Sequence, residues 1–379
     1  MKILWIPQVS SKSADGIVLL DKDSNMAFIY NLLQSPFGEV NKISVLIEFA
    51  LSIGQKCELL EKFDEVFVDE IHIYTNAMQE RMHFNADFYK SANLEEYDVI
   101  FTNEPTKVVN IKSLLSKESK TAVVCYNHWL AFKNMQNIKY DQISGMIEAD
   151  ACFMNSYYAI KETIEFCSQH HIYVPTINKL QPSYLSKYMR QMKFEKPYGI
   201  VYNHRLSSDP YYRKAFNDML CVIMKTEQLI GEEEMPYVYF TDPSGKGIDV
   251  CNIKPYFRKI NLETQEQYYE FLSSDQIQLH LNTFFHSEGM WSMSTVDAGI
   301  TGNICLLPKK YGYAEIFEDN YAGYCNDTDE MANVLASILI GSQEKSQQQY
   351  FNNKHLTNHS NIKMGMKLHE MLKDVIKKC

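Results

Sequence analysis

Short, continuously apolar runs alternate along the chain with longer stretches of helical spacing. Lys2 to Ile6, Tyr97 to Thr102, Thr121 to Cys125 and Ala151 to Met154 read as buried strands. Each ends in polar residues, respectively Pro7-Gln8, Asn103-Glu104-Pro105, Tyr126-Asn127-His128-Trp129 and Asn155-Ser156. Helical spacing predicts helices over Asn25 to Leu33, over Val40 to Leu51 with Gly54 ending it, and over Tyr157 to Phe166. Glu65 to Val68 and His72 to Tyr74 are short strand candidates. Pro175 to Pro197 carries three prolines, several charges and little periodicity, and reads as a linker.

A second series follows the same grammar. Strands are expected at Gly199 to Tyr202, Tyr237 to Phe240, Phe257 to Asn261, Ile277 to Leu281, Ile304 to Pro308 and Tyr321 to Tyr324. Helices are expected at Tyr211 to Lys225, Thr264 to Leu272, Thr328 to Ile340 and Lys363 to Lys378. Strands alternating with helices predict α/β architecture with parallel sheets. The expected organisation is a first domain over 1–180, a linker over 181–197, a second domain over 198–360 and a terminal helix over 361–379.

The segment from His286 to Gly302 lies between two of these apolar runs. Ser292, Ser294 and Thr295 open a short helix that carries Asp297 and ends at Gly302. In open α/β sheets ligands bind at the carboxyl ends of the strands. A helix N-terminus there offers free N–H groups and a positive dipole end to an anion such as phosphate. Ser294 and Thr295 add hydroxyl donors, and Glu288 in the loop could meet a polyhydroxyl group. An ordinary capped helix after a strand is the plainer reading of the same residues.

A length of 379 residues suggests two domains, and 45% hydrophobic residues suffice for two cores. The net charge of -10 argues against broad non-specific nucleic-acid binding. Nine cysteines occur singly, without a CxxC pair, which excludes a common zinc pattern and suits a reducing, cytoplasmic setting. No apolar segment approaches the ~18 residues of a bilayer span, so membrane insertion is not expected. The abundance of Tyr, Asn, Lys and Ile fits an AT-rich genome, such as many phages have. The oligomeric state is not legible.

The Glu288 to Gly302 region resembles the Glu-(x7)-Glu region of GT-B glycosyltransferases of group 1, the GT4-like kind. Glu288-Gly289 opens the motif, Asp297-Ala298 stands for its second Glu-Ala, Gly302 matches its glycine and Ile304 begins the following strand. The second acid is Asp, and eight residues rather than seven separate it from Glu288. The first loop holds only Gly16, where the family often has several glycines. The resemblance implies two Rossmann-like domains with an interdomain cleft, a terminal helix crossing back onto the first domain, and closure that excludes water.

It also implies a nucleotide-sugar co-substrate, with UDP-sugar the first choice, and a retaining, metal-independent transfer with no further cofactor. Asn203-His204-Arg205 occupies the place of a Gly-Arg pair that binds the donor diphosphate, and is also similar to the tRNA-queuosine mannosyltransferase-like branch. Arg205 fits the arginine, whose planar fork suits phosphate oxygens. Lys214 is the candidate lysine, with Lys254 and Arg258 as alternatives. Ser294 and Thr295 would share the diphosphate, Asp297 would hold the ribose, Glu288 would hold the transferred sugar with His286 beside it, and Gly289 would belong to the donor site.

On the first domain, Gln8, Glu104, Tyr126 and Trp129 would lie toward the acceptor, and His128 could orient the sugar or act on an acceptor hydroxyl. A structural His and a helix-capping Glu104 are the alternatives. Tyr126-Asn127-His128 is similar to a segment of phage DNA α-glucosyltransferases. A hydroxymethylated base in phage DNA is therefore the first acceptor expected, flipped out of its duplex. The first-domain loops Lys12 to Gly16 and Arg81 to Lys90 would then contact the DNA, in the host cytoplasm if the protein is phage-encoded. An envelope glycan, a tRNA base or a small molecule are rival acceptors, and a non-catalytic GT-B-like binding protein is the rival class. His170-His171 and His280 show no metal pattern. The basic residues Lys187, Arg190, Lys193 and Lys196 read as a solvated linker face.

Overall fold

The computed structural model describes the chain except residues 10–16, 128–129, 131–134, 191–198, 205, 207–209, 243–248, 263, 285–290 and 342–355. The chain forms two compact units. The first draws on Met1–Ser11, Val18–Tyr184 and His359–Cys379, and the second is mainly Leu185–Asn358.

The strands of the first unit are β1 (Lys2–Ile6), β2 (Lys42–Ile47), β3 (Val66–Val68), β4 (Val99–Thr102), β5 (Ala122–Asn127), β6 (Ala151–Met154) and β7 (Ile177–Lys179). They form one sheet in the order β3-β2-β1-β4-β5-β6-β7. Every pairing is parallel, as in Ile3 against Val99 and Val124 against Ala151. Strands buried on both faces need apolar residues at successive positions. β1, β4, β5 and β6 show this, with almost every residue buried. Trp5 is stacked on Phe101 at 4.2 Å between ring centres, and its indole N–H donates to Asn103 Oδ1 at 2.8 Å. That bond satisfies the one polar atom the large ring brings into the core.

The last helix, Asn361–Ile376, packs within the first unit. Met364, Leu368 and Leu372 join its core, and Asn361 Nδ2 donates to the carbonyls of Asn31 and Gln34. Where the chain leaves this unit and returns to it, the Asn361 N–H donates to the Tyr184 carbonyl at 2.7 Å and the Tyr184 N–H to the His359 carbonyl at 3.0 Å.

The second unit contains β8 (Ile200–Tyr202), β9 (Val238–Phe240), β10 (Phe257–Lys259), β11 (Leu279–Leu281), β12 (Ile304–Pro308) and β13 (Tyr324–Cys325). Their order, β10-β9-β8-β11-β12-β13, is again parallel throughout. Both sheets thus follow the doubly wound 3-2-1-4-5-6 order, with β7 added to the first. In this order the winding reverses between the first and fourth strands, and the crevice beyond their carboxyl ends is where ligands bind. In the second unit that switch point lies between β8 and β11.

Four expectations change. Val40 to Leu51 is not a helix, because its centre is β2, buried at five of six positions. A fully apolar strand and a buried helix share the same run of hydrophobes, and spacing alone does not separate them. Gly54 accordingly lies near the start of a helix, Ile53–Lys62, capped by Ser52 and Gln55. His72 to Tyr74 is not a strand, since Asp69 Oδ1 accepts from the backbone N–H groups of Ile71 and His72 and turns the chain. β7 lies inside the segment Pro175 to Pro197 and pairs with β6, so that part of it is sheet. The final strand begins at Tyr324 rather than Tyr321, whose hydroxyl instead bonds both the N–H and the carbonyl of Cys305.

Candidate functional site

The switch point of the second sheet gathers the polar residues. β8 ends in Asn203-His204, β9 in Thr241-Asp242 and β11 in Asn282-Thr283. The helix Met293–Ile300 follows, with Ser292 as its N-cap accepting from the Thr295 N–H. Gly302, at φ 90°, lies just beyond its end in the left-handed region that glycine tolerates.

A buried hydrogen-bond network holds the N-terminus of this helix to β11. Asn282 Nδ2 donates to Thr295 Oγ1 at 2.8 Å and to Ser292 Oγ at 3.0 Å, and His280 Nε2 lies 3.0 Å from Thr295 Oγ1. Burial lowers the His280 pKa to about 3, so the ring is neutral. Thr295 is wholly buried and its hydroxyl already has these partners. The hydroxyl, expected to share a diphosphate, here ties helix to strand. Ser294 is different, being half-buried with Oγ 3.3 Å from the His204 ring nitrogens.

A second network holds the same helix to β8. Asn203 Nδ2 donates to the Ser294 carbonyl at 3.0 Å and to the Tyr268 hydroxyl at 2.6 Å. Tyr268 donates to Asp297 Oδ2 at 3.1 Å, and Tyr269 donates to Asp297 Oδ1 at 2.6 Å. Tyr188 stacks on Tyr269 at 4.4 Å. Burial raises the Asp297 pKa to about 7, against the two tyrosine hydrogen bonds that lower it. Both carboxylate oxygens expected to hold a ribose thus already have tyrosine partners.

Among the described residues, three buried polar atoms at these strand ends have no hydrogen-bond partner: Asn203 Oδ1, Thr241 Oγ1 and Thr283 Oγ1. Buried polar groups are nearly always paired, so such a concentration at a switch point marks a place built for a ligand or water. Tyr268 and Asn282 are not among the sequence candidates, and Asn203 enters there only as part of the Asn203-His204-Arg205 patch. Asn203-His204 at a strand end was the available signal for Asn203.

The other candidates divide. Lys214 is exposed on the helix Pro210–Ile230. Lys254 pairs with Glu227 at 2.7 Å, and Arg258 lies over the Tyr237 ring while donating to two backbone carbonyls. In the first unit Glu104 is buried in an ion pair with Arg81 and caps the turn Pro105–Lys107. It is thus the capping residue of the alternative reading. Tyr126 is buried with its ring stacked on Phe28, so it belongs to the core, and Gln8 is buried at the end of β1. Glu288, His128, Arg205, His286, Gly289 and Trp129 lie outside the described residues. Among the described residues no group of three or more His, Cys, Asp or Glu could hold a metal ion, and no helix is long and apolar enough to cross a membrane.

No protein-family model matches the sequence, and no curated protein matches it. Solved structures do match over the whole chain. HepE of Anabaena in complex with UDP-glucose aligns with a TM-score of 0.67 at 14% identity, covering 99% of this chain and 100% of that one. Sucrose-phosphate synthase of Thermosynechococcus elongatus gives 0.72 at 8% identity, covering 100% of both chains. A glycosyltransferase of Rickettsia africae gives 0.63 at 11%, covering 100% of this chain and 99% of that one. With two parallel-sheet, Rossmann-like halves matching these proteins from end to end, the chain has the GT-B fold.

Proposed function

We propose that the protein is a glycosyltransferase that takes its sugar from a nucleotide-sugar donor, a UDP-sugar in the first instance, and passes it to a hydroxyl acceptor. The observation that carries this reading is the switch point of the second sheet. There a helix N-terminus, the Ser294 hydroxyl and the unpartnered Asn203, Thr241 and Thr283 atoms converge. HepE, similar over 99% of the chain, was solved with UDP-glucose, which supports UDP as the nucleotide. The helix N-terminus and Arg205 would stabilise the charge that develops on the leaving diphosphate. Glu288 would face the transferred sugar. This scheme needs no metal ion and, by the resemblance of the Glu288 to Gly302 region, retains the anomeric configuration.

The acceptor we favour is a hydroxymethylated base in phage DNA, supported by Tyr126-Asn127-His128 and by the composition. An envelope glycan, a tRNA base and a small molecule are the competing acceptors.

A thermal-shift series with UDP, GDP, ADP and their sugars tests the donor, since a ligand that binds only the folded state raises Tm. A shift with UDP or UDP-glucose is expected, followed by sugar transfer to hydroxymethylated DNA that Arg205→Ala and Glu288→Gln abolish. No shift with any nucleotide would overturn the donor site and leave a non-catalytic binding protein as the better reading.

A further inference from the structure

The orientation of the Asn203 amide is settled by its neighbours. The Ser294 carbonyl can only accept, so the arm of Asn203 facing it at 3.0 Å is Nδ2. The second hydrogen of Nδ2 goes to the Tyr268 hydroxyl at 2.6 Å. Tyr268, having accepted there, directs its own hydrogen to Asp297 Oδ2. The other oxygen of Asp297 is taken by Tyr269. With Asp297 ionised, a one-way chain of bonds therefore runs from Asn203 through Tyr268 to its carboxylate, and the Ser294 carbonyl keeps the amide from flipping.

With both N–H groups used, only Oδ1 of Asn203 is left, and it has no partner among the described residues although the residue is 7% exposed. It sits at the end of β8, where the winding of the sheet reverses, beside the N-terminus of Met293–Ile300. A fixed, buried acceptor in that place calls for a donor from outside the protein. Phosphate oxygens that carry no proton cannot supply one. Hydroxyls of a sugar or ribose, or an imide N–H of a base, can.

We propose that Asn203 Oδ1 accepts a hydrogen bond from an O–H or N–H of the nucleotide sugar, and that Tyr268 and Asp297 are positioning residues that hold the amide for it. This rests on the donor-site reading above. It gives the acid at position 297 a different task from gripping the ribose: it anchors, through Tyr268, a neighbour that does the recognition.

The test is titration calorimetry of the full chain with UDP-glucose, UDP and pyrophosphate. It uses wild type, Asn203→Ala, Tyr268→Phe and the double variant, each checked by circular dichroism and Tm. Asn203→Ala should weaken UDP-glucose by about 10-fold or more, and Tyr268→Phe by about 3- to 10-fold, with pyrophosphate unchanged in both. The double variant should bind no more weakly than Asn203→Ala alone, because Tyr268 acts through Asn203. A loss seen with UDP as well places the contact on the nucleotide half, and a loss confined to UDP-glucose places it on the sugar. If wild type binds and Asn203→Ala binds equally well, the proposal falls and the donor site stands. If Tyr268→Phe keeps its full factor in the double variant, the positioning role falls. If wild type binds neither UDP nor UDP-glucose, the donor site itself falls. Tyr268→Phe removes one hydroxyl from a half-buried ring, so unchanged binding in that variant overturns the relay even where Asn203→Ala does not fold.

Discussion

Asp297 receives the Tyr269 hydroxyl at 2.6 Å inside the second unit, and no described cation pairs with its carboxylate. Burial, the larger effect, raises its pKa from 3.8 to about 7, while the bonds from Tyr269 and Tyr268 pull the other way. The folded protein therefore holds this proton to a higher pH than the unfolded chain does. Between those two values the folded state binds more protons, so stability falls as pH rises through about 4 to 7 and is level above. Asp297→Asn removes the titration. Relative to that variant, wild type should lose on the order of 3 kcal/mol between pH 4 and pH 8. Urea unfolding of both proteins across that range checks it, and curves that stay parallel would refute the assignment.

Thr295 and Ser294 are adjacent hydroxyls with opposite expected effects. Thr295→Val deletes a buried hydroxyl and strands Asn282 and His280, which should cost about 1–3 kcal/mol of stability. Ser294→Ala should change stability by less than about 0.5 kcal/mol, as substitutions away from buried networks do. Under the proposed function it should weaken UDP-glucose, because Ser294 is the half-buried hydroxyl at the helix N-terminus. Chemical denaturation beside calorimetry separates the two, and the reverse pattern would exchange their roles.

How far the structure was legible in the sequence depends on whether a signal is local. β1, β4, β5, β6 and β12 announce themselves as apolar runs closed by polar residues, and the Ser292 cap with Gly302 marks both ends of the helix between β11 and β12. β2 was misread because burial on both faces erases the alternation that identifies a strand. The relay from Asn203 to Tyr268 to Asp297 joins residues 65 and 29 positions apart in sequence. Nothing local in either tyrosine distinguishes it from the other aromatic residues of the chain. Thr295 illustrates the opposite failure: its position in a helix N-terminus is legible, but the two buried partners that occupy its hydroxyl come from β11 and its end. Glu104 stands at a strand end, and only the Arg81 guanidinium opposite decides that it is a capped ion pair.

That pair and its neighbour make a second kind of test. Glu104 with Arg81, and Glu48 with Lys107, are ion pairs buried in the first unit. Removing one partner leaves an uncompensated charge away from water, which costs about 3–5 kcal/mol. Arg81→Met should reach that range in urea unfolding. The double variant Arg81→Met with Glu104→Leu should recover much of the loss, since neither charge then remains. If the double variant is as unstable as the sum of the two single ones, packing rather than charge dominates at this place.

The same turn depends on Gly145. The helix Gln136–Glu148 crosses the turn Pro105–Lys107 so closely that a Cβ at Gly145 would lie 1.8 Å from the Pro105 carbonyl oxygen. In an exposed helix, alanine would be the better residue by about 1 kcal/mol. Here the methyl group meets backbone, which cannot swing aside as a side chain does, and moving it would displace the residues of both ion pairs. Gly145→Ala should therefore destabilise by about 3 kcal/mol, within the range of overpacked cores. Gly54 is the internal control, because it lies exposed in the helix Ile53–Lys62 with nothing within 4 Å of an added Cβ. Gly54→Ala should raise stability by up to ~1 kcal/mol. Thermal unfolding of the two variants then carries opposite signs, and a shared sign would mean that helix propensity, rather than the approach to Pro105, governs position 145.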